Sequence, residues 1–181
     1  MYGVDKSYAD ELKTAKSEED FFKKIVYFYT KPQYHTTINN AVSRDFGGMK
    51  DKPTSGQDLS VALYDMLLDC VLMCWTGLQK TASTTYRGVP VKVDFNIGSE
   101  IMFTHFLSSS LNQEVAKGFC GSNGTLMIID NTANSIHRPK QLEDMSAFPS
   151  EKECLYGIGA EFEVIKIDDS KSYREVHLKL I

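Results

Sequence analysis

The chain has little of what marks the more specialised protein classes. Its 181 residues include four cysteines, four histidines, five prolines and one tryptophan. Cys70, Cys74, Cys120 and Cys154 fit no metal-ligand spacing, so no metal site is expected. No window approaches the apolar length of a membrane span. The N-terminus, Met1-Tyr-Gly-Val-Asp-Lys, has no apolar signal region. The protein is therefore expected in the cytosol, or secreted or at the cell surface with an export signal that this chain does not carry. Positive charge is not in surplus: 20 Lys and Arg against 24 Asp and Glu leave a formal charge of −4. That balance argues against broad nucleic-acid binding, which needs a basic surface. It leaves room for a local basic pocket that takes a phosphorylated small molecule. A P-loop, a G-x-G-x-x-G turn, an internal repeat and a low-complexity linker are all missing.

What is there reads as one domain over 1–181, with a helical part over 1–80 and a β core over 81–181. Ser17-Glu-Glu-Asp starts a helix, its acids placed at the positive end of the dipole. Phe21, Phe22, Ile25, Val26 and Phe28 follow at helical spacing. Pro32 opens a second helix through Ile38, Ala41 and Val42 that stops at Gly47-Gly48. Lys50 to Gly56 is a loop by composition. A long helix, about Leu59 to Leu78, carries Leu59, Leu63, Met66, Leu67, Cys70 and Val71. Cys70 and Cys74 share a face with Leu67, Val71 and Leu78 and are expected to be buried as small hydrophobes. Cys120 and Cys154 are core residues or a disulfide.

After Lys80 the pattern turns to short alternating or β-branched runs. Strands are expected at Thr84 to Val89, Glu100 to Phe106, Thr125 to Ile129, Glu153 to Leu155, Glu161 to Ile167 and Val176 to Leu180. One short helix, Asn112 to Gly118, interrupts them. The fold class is α+β, a helical N-terminal half packed on a mainly antiparallel two-sheet β core.

Three features of the second half carry chemistry. Glu151 and Glu153 sit two apart where a Pro-Ser turn meets an apolar run. On a strand they share a face, with Cα atoms roughly 6.5–7 Å apart. Two carboxylates in one pocket must repel or divide the chemistry. Arg87, within Thr85-Tyr-Arg-Gly-Val, is costly in an apolar strand unless it is paired or meets an anion, and its planar fork suits phosphate. Gly88 lets a ligand approach the backbone. The third feature is Phe106-Leu-Ser-Ser-Ser-Leu, followed by Ala116-Lys-Gly-Phe119. Taken singly, each has an ordinary reading: a surface arginine, a serine turn or cap, a solvated acidic face.

In this order they resemble the R-S-E class of mono-ADP-ribosyltransferases, which includes eukaryotic ecto-enzymes and bacterial toxins acting on arginine. The resemblance rests on Arg87, on Ser108-Ser109-Ser110, on Phe119 and on Glu151-x-Glu153. The tail Glu153-Cys-Leu-Tyr-Gly-Ile-Gly-Ala-Glu-Phe-Glu-Val is similar to the family's E-V-L-x-P-x-G-x-x-F-x-V. Upstream, Tyr29-Thr30 and Ile38-Asn39-Asn40-Ala41 with Arg44 are similar to its Y-T…L-N-x-A-x-R helix. The family's proline-rich turn is replaced by Tyr156-Gly-Ile-Gly. A second pair, Glu161-Phe-Glu163, lacks the preceding turn and aromatic and sits inside a strand pattern, so it is set aside. None of His35, His105, His137 and His177 precedes glycine, which disfavours the branch that uses His-Gly-Ser/Thr. A structural role is expected for His105.

The resemblance implies cleavage of the nicotinamide–ribose bond of NAD and transfer of ADP-ribose, through an oxocarbenium-like transition state stabilised by position and charge. Arg87 would hold the NAD phosphates. Ser108 would orient Glu153, which would grip the ribose hydroxyl and stabilise the developing charge. Phe119 would stack near nicotinamide, and the Gly88 backbone would pair with its carboxamide. Glu151 points to arginine as acceptor, because a guanidinium with a pKa above about 12 needs a base or a steering charge. Phe148 would touch the target protein. NADP could replace NAD, and a monomer is expected. The alternatives are an NAD glycohydrolase using water and a pseudoenzyme that binds NAD or a protein without chemistry.

Overall fold

The computed structural model describes residues 10–32, 34, 56–78, 81–142 and 144–181, the side chains of 56–63 and 65 excepted. The second helix expected from Pro32 to Gly47-Gly48, with Ile38, Asn39, Asn40, Ala41 and Arg44, falls outside these residues except at its start. So do His35 and the loop at 50–55.

Helix α1 (Glu18–Tyr29) begins where its sequence signal places it. The Ser17 hydroxyl accepts the Asp20 N–H at 3.1 Å, and the Asp20 carboxylate accepts the Lys16 N–H at 2.8 Å. One orphan donor of the helix is thereby satisfied and the entering chain is tied back to its first turn, beside three acids at the positive helix end. Ile25, Val26, Phe28 and Tyr29 are buried. They pack on helix α2 (Gly56–Cys74), whose inward face carries Tyr64, Leu68, Val71 and Leu72. The Tyr64 hydroxyl donates to the Ile25 carbonyl at 2.6 Å, tying the two helices together.

That inward face corrects the expected one. Cys70 and Cys74 are exposed rather than buried, and Met66 is 65% exposed. α2 is apolar around much of its circumference (Leu67 beside Leu68, Val71 beside Leu72). Helical spacing alone therefore could not single out the stripe that α1 and the sheet cover. Cys120 and Cys154 are both buried free thiols, so the core alternative holds.

Among the described residues eight strands follow, β1 (Thr84–Val89), β2 (Glu100–Phe103), β3 (Leu107–Ser110), β4 (Thr125–Asp130), β5 (Lys140–Gln141), β6 (Glu153–Tyr156), β7 (Ala160–Asp168) and β8 (Arg174–Leu180). Helix α3 (Gln113–Cys120) lies between β3 and β4, with Asn112 capping it through the Glu114 N–H. The strand order is β2-β7-β8-β4-β1-β3-β6-β5. Among the described residues only β4 and β8 run parallel. The strands form two groups, β5-β6-β3 and β1-β4-β8-β7-β2. A single residue pair, Tyr86↔Ser110, joins them, so the two expected sheets form one continuous ladder.

The run expected as one strand over 100–106 is divided. Its first half, β2, pairs with β7, and the chain then crosses to β3, which pairs with β6. The two phenylalanines at the ends of the crossing belong to different cores. Phe103 packs edge to face on Phe162 at 5.7 Å, whereas Phe106 is buried against Tyr29 at 5.6 Å. A straight strand could not serve both. Behind β1, a buried polar network joins the two groups. The Tyr156 hydroxyl bonds Thr85 Oγ1 at 2.6 Å and Asn131 Oδ1 at 2.8 Å. Among the described residues no helix is long and apolar enough to cross a membrane.

Candidate active site

A cavity of about 480 Å³ opens where the two strand groups part. Because β3 meets β1 only at Tyr86↔Ser110, the edge of β1 over 87–89 is free to face it. Arg87, Gly88, Ser108, Phe119, Phe148, Glu151 and Glu153, the residues given a role at the site, all line this one cavity. His105 does not reach it; its ring stands edge to face on Phe103 at 5.7 Å. Glu161 and Glu163 lie on β7, outside the lining.

The centre of the site is made by two antiparallel strands. Ser110 faces Glu153 and Ser108 faces Leu155 in the β3–β6 register, which puts Ser108 and Glu153 diagonally on one face. The Ser108 hydroxyl donates to Glu153 Oε1 at 2.6 Å. Arg87 Nη1 donates to the Ser108 carbonyl at 2.6 Å, so the guanidinium and the carboxylate are held from the same residue. The other two serines are structural. The Ser109 hydroxyl donates to the Cys154 carbonyl at 3.0 Å, and that of Ser110 to the Glu151 carbonyl at 2.6 Å.

Burial sets the electrostatics. Glu153 is 8% exposed. Loss of water pushes its carboxyl up to about 7; the Ser108 hydrogen bond opposes this, the neighbouring Glu151 adds to it, and Arg87 opposes it. Burial likewise holds the Arg87 guanidinium below its ordinary value, against the pull of Tyr29 and Glu153. A carboxyl that titrates near neutrality beside a fixed cation is poised to change charge when a cationic ligand arrives.

Glu151 reaches the cavity by a different route from the one its spacing suggested. It is not on a strand with Glu153. It ends a 3-10 turn, Pro149–Glu151, and Lys152 follows in the left-handed region at φ 48°. That reversal brings both carboxylates to one wall, in place of the simple alternation of a strand. Gly88 also has a reason the sequence did not show. A Cβ there would stand 1.8 Å from the Ala116 carbonyl oxygen and 2.6 Å from the Cys120 nitrogen. The missing side chain admits the backbone of α3, so its necessity is in packing.

The cavity has further walls that the motif reading quoted without a role. Tyr29 and Thr30 at the end of α1 line it, with Pro32. Their signal was the Tyr-Thr pair itself. What distinguishes them is that the end of α1 forms part of the cavity wall, which no local pattern reveals. Phe119 is 57% and Phe148 42% exposed, so two aromatic faces stand at the mouth with little to cover them. Among the described residues no cluster of three or more His, Cys, Asp or Glu is arranged to hold a metal ion.

Comparison with known proteins bears on the family and the fold. The family model described as ART: NAD:arginine ADP-ribosyltransferase matches residues 15–181. The fold is similar to that of Vis, an ADP-ribosyltransferase toxin from Vibrio splendidus. In its complex with agmatine Vis superposes with a TM-score of 0.70 at 17% identity, covering 97% of this chain and 83% of that one. Exoenzyme S from Pseudomonas aeruginosa, bound to carba-NAD and human 14-3-3 protein beta, gives a TM-score of 0.66 at 19% identity, with 97% and 82% covered. The eukaryotic mono-ADP-ribosyltransferase ART2.2 gives 0.66 at 21% identity, with 96% and 72% covered. No curated protein sequence matches the chain.

Proposed function

The chain belongs to the NAD:arginine ADP-ribosyltransferase family, and from that premise we propose that it transfers ADP-ribose from NAD to an arginine side chain of a protein target, releasing nicotinamide. The observation that carries the reading is the junction of Arg87, Ser108 and Glu153 through two 2.6 Å hydrogen bonds, with Glu151 on the same wall.

The residues fit NAD by their chemistry. The cavity, about 480 Å³, lies in the range of roughly 300–1,000 Å³ usual for small-molecule sites. Arg87 uses one N–H on the Ser108 carbonyl, and its remaining N–H groups are suited to a diphosphate. Phe119 offers an exposed ring face to nicotinamide, and the free edge of β1 at Gly88 offers main-chain groups to its carboxamide. When bound, NAD supplies the glycosidic bond to be broken. Glu153, held by Ser108, accepts a hydrogen bond from the ribose hydroxyl and in its ionised form stabilises positive charge on the ring.

Glu151 directs the acceptor. A guanidinium is acidic only above about 12, so it must be steered or deprotonated before it can attack. The half-buried carboxylate of Glu151 beside the mouth supplies that attraction, and Phe148 offers an apolar contact to the protein that carries the arginine. Agmatine, seen with Vis, bears the same guanidinium and is a suitable small acceptor here. The open mouth also favours a second reaction, hydrolysis of NAD by water, at the same site. A silent NAD- or partner-binding protein is the weaker reading, because the full set of acid, cation and hydroxyl is present.

The test is incubation with labelled NAD, with and without agmatine or poly-arginine, for wild type, Glu153→Gln and Glu151→Gln. Glu153→Gln is expected to abolish transfer and hydrolysis. Glu151→Gln is expected to abolish transfer while hydrolysis stays measurable. A wild type that neither releases nicotinamide nor labels arginine ends the enzyme reading, and equal damage from both variants ends the division of roles.

A further inference from the structure

The segment that carries Phe148 and Glu151 is short, and its two ends are held by hydroxyl groups from different parts of the fold. At its C-terminal end the Ser110 hydroxyl donates to the Glu151 carbonyl. At its N-terminal end the Ala147 N–H donates to Thr30 Oγ1 at 2.8 Å, across 117 positions of sequence. Between them the Phe148 N–H is taken by Ser146 Oγ at 3.0 Å, and the Glu151 N–H by the Phe148 carbonyl at 3.0 Å. Thr30 is 8% exposed and lines the cavity. Its hydroxyl proton is committed to the Tyr27 carbonyl at 2.8 Å, which turns an oxygen lone pair toward Ala147.

We infer that Thr30 is a positioning residue for the acceptor: it fixes the Phe148–Glu151 turn to the end of α1 and so sets where Glu151 meets the incoming guanidinium. This rests on the proposed transfer reaction. Three observations carry it. Thr30 is the C-cap of α1, whose last turn is anchored by the buried Ile25, Val26, Phe28 and Tyr29, so the reference point is rigid. The side chain offers the loop one directed acceptor. The residue just before it, Tyr29, is a wall of the same cavity, so one helix end registers the wall and the turn together. Glu153, by contrast, is held by β6 and Ser108 and does not depend on this clamp. Its loss therefore falls first on acceptor capture.

The experiment uses Thr30→Val, which keeps the shape and removes the hydroxyl, and Thr30→Ser, which keeps the hydroxyl. The ratio of agmatine transfer to NAD hydrolysis, the KM for agmatine and the amide hydrogen exchange of Ala147 are measured in each. Thr30→Val is expected to lower the ratio about tenfold, mainly through KM for agmatine, which is what one hydrogen bond is worth in an equilibrium. Protection at Ala147 is expected to fall by a similar factor, and Thr30→Ser is expected to restore both. An unchanged ratio in Thr30→Val overturns the inference, as does equal loss of transfer and hydrolysis, which would mark a general structural role. A wild type without transfer activity ends the proposed reaction instead, and the clamp is then judged by exchange alone: unchanged protection at Ala147 in Thr30→Val refutes it.

Discussion

Replacing Glu153 by glutamine tests the electrostatic reading of the site without reference to any ligand. The carboxyl rises from an ordinary 4.5 to about 7 in the folded protein, chiefly because it is buried. Between these values the native state keeps a proton that the unfolded chain has lost. The unfolded state thus binds fewer protons, and stability falls as pH rises across that window. A gap of roughly 2.5 units at about 1.36 kcal/mol per unit amounts to about 3 kcal/mol. The stabilising contribution is complete below pH 4.5 and is lost as pH passes 7. Glutamine accepts the same hydrogen bond from Ser108 but never ionises. Its own fit to the site adds a constant that does not vary with pH. The assay is urea denaturation of wild type and Glu153→Gln at pH 4.5, 6, 7 and 8, comparing the difference in unfolding free energy at each pH. The difference should move by about 3 kcal/mol in favour of the variant between pH 4.5 and 8. A difference flat with pH would refute the burial of a carboxylate at this position, and movement in the opposite direction would show that Arg87 outweighs desolvation.

Ser108→Ala removes the hydrogen bond that pulls the Glu153 carboxyl down, a charge-assisted contact worth about 1.5–3 kcal/mol. The acidic limb of kcat/KM for NAD hydrolysis, expected near pH 7 in wild type, should move up by about 1–2 units; an unmoved limb would detach it from Glu153. Gly88→Ala puts a Cβ 1.8 Å from the Ala116 carbonyl oxygen, a backbone atom that cannot rotate away. A loss of about 3 kcal/mol in chemical denaturation is expected, and wild-type stability would mean that α3 can shift freely off β1. Tyr156→Phe breaks the bonds that link β6 to Thr85 on β1 and to Asn131 just after β4. It should cost about 1–3 kcal/mol by thermal or urea unfolding, and a neutral result would show that Thr85 and Asn131 satisfy each other.

Much of the local structure was legible. Strand β1 has the bounds read from its β-branched run, and α1 and α3 begin at the Ser17 and Asn112 caps. These signals are short-range: a hydroxyl or amide that bonds a backbone N–H two or three residues on, or alternation over a few positions. Other features were missed for one common reason. The two-residue strand β5 has too few positions to show alternation, and it exists because β6 is beside it. The inward face of α2 and the break after Phe103 depend on which surfaces the chain meets, and an apolar run does not say whether it serves one core or two.

For the site, residue types drew attention to Arg87, the serine run and the paired acids, each with an ordinary reading by itself, and the resemblance of their order to a known family nominated Arg87, Ser108, Glu151 and Glu153 for roles. Their meeting was decided by the tertiary structure. Pairing of β3 with β6 lays Ser108 against Glu153. The parting of β1 from β3 beyond one residue pair opens the cavity, and a 3-10 turn ending at a left-handed Lys152 brings Glu151 to the wall. Burial did the rest. A sequence records that an acid is present, but its charge at neutral pH depends on how much water the folded chain leaves around it, and only packing determines that.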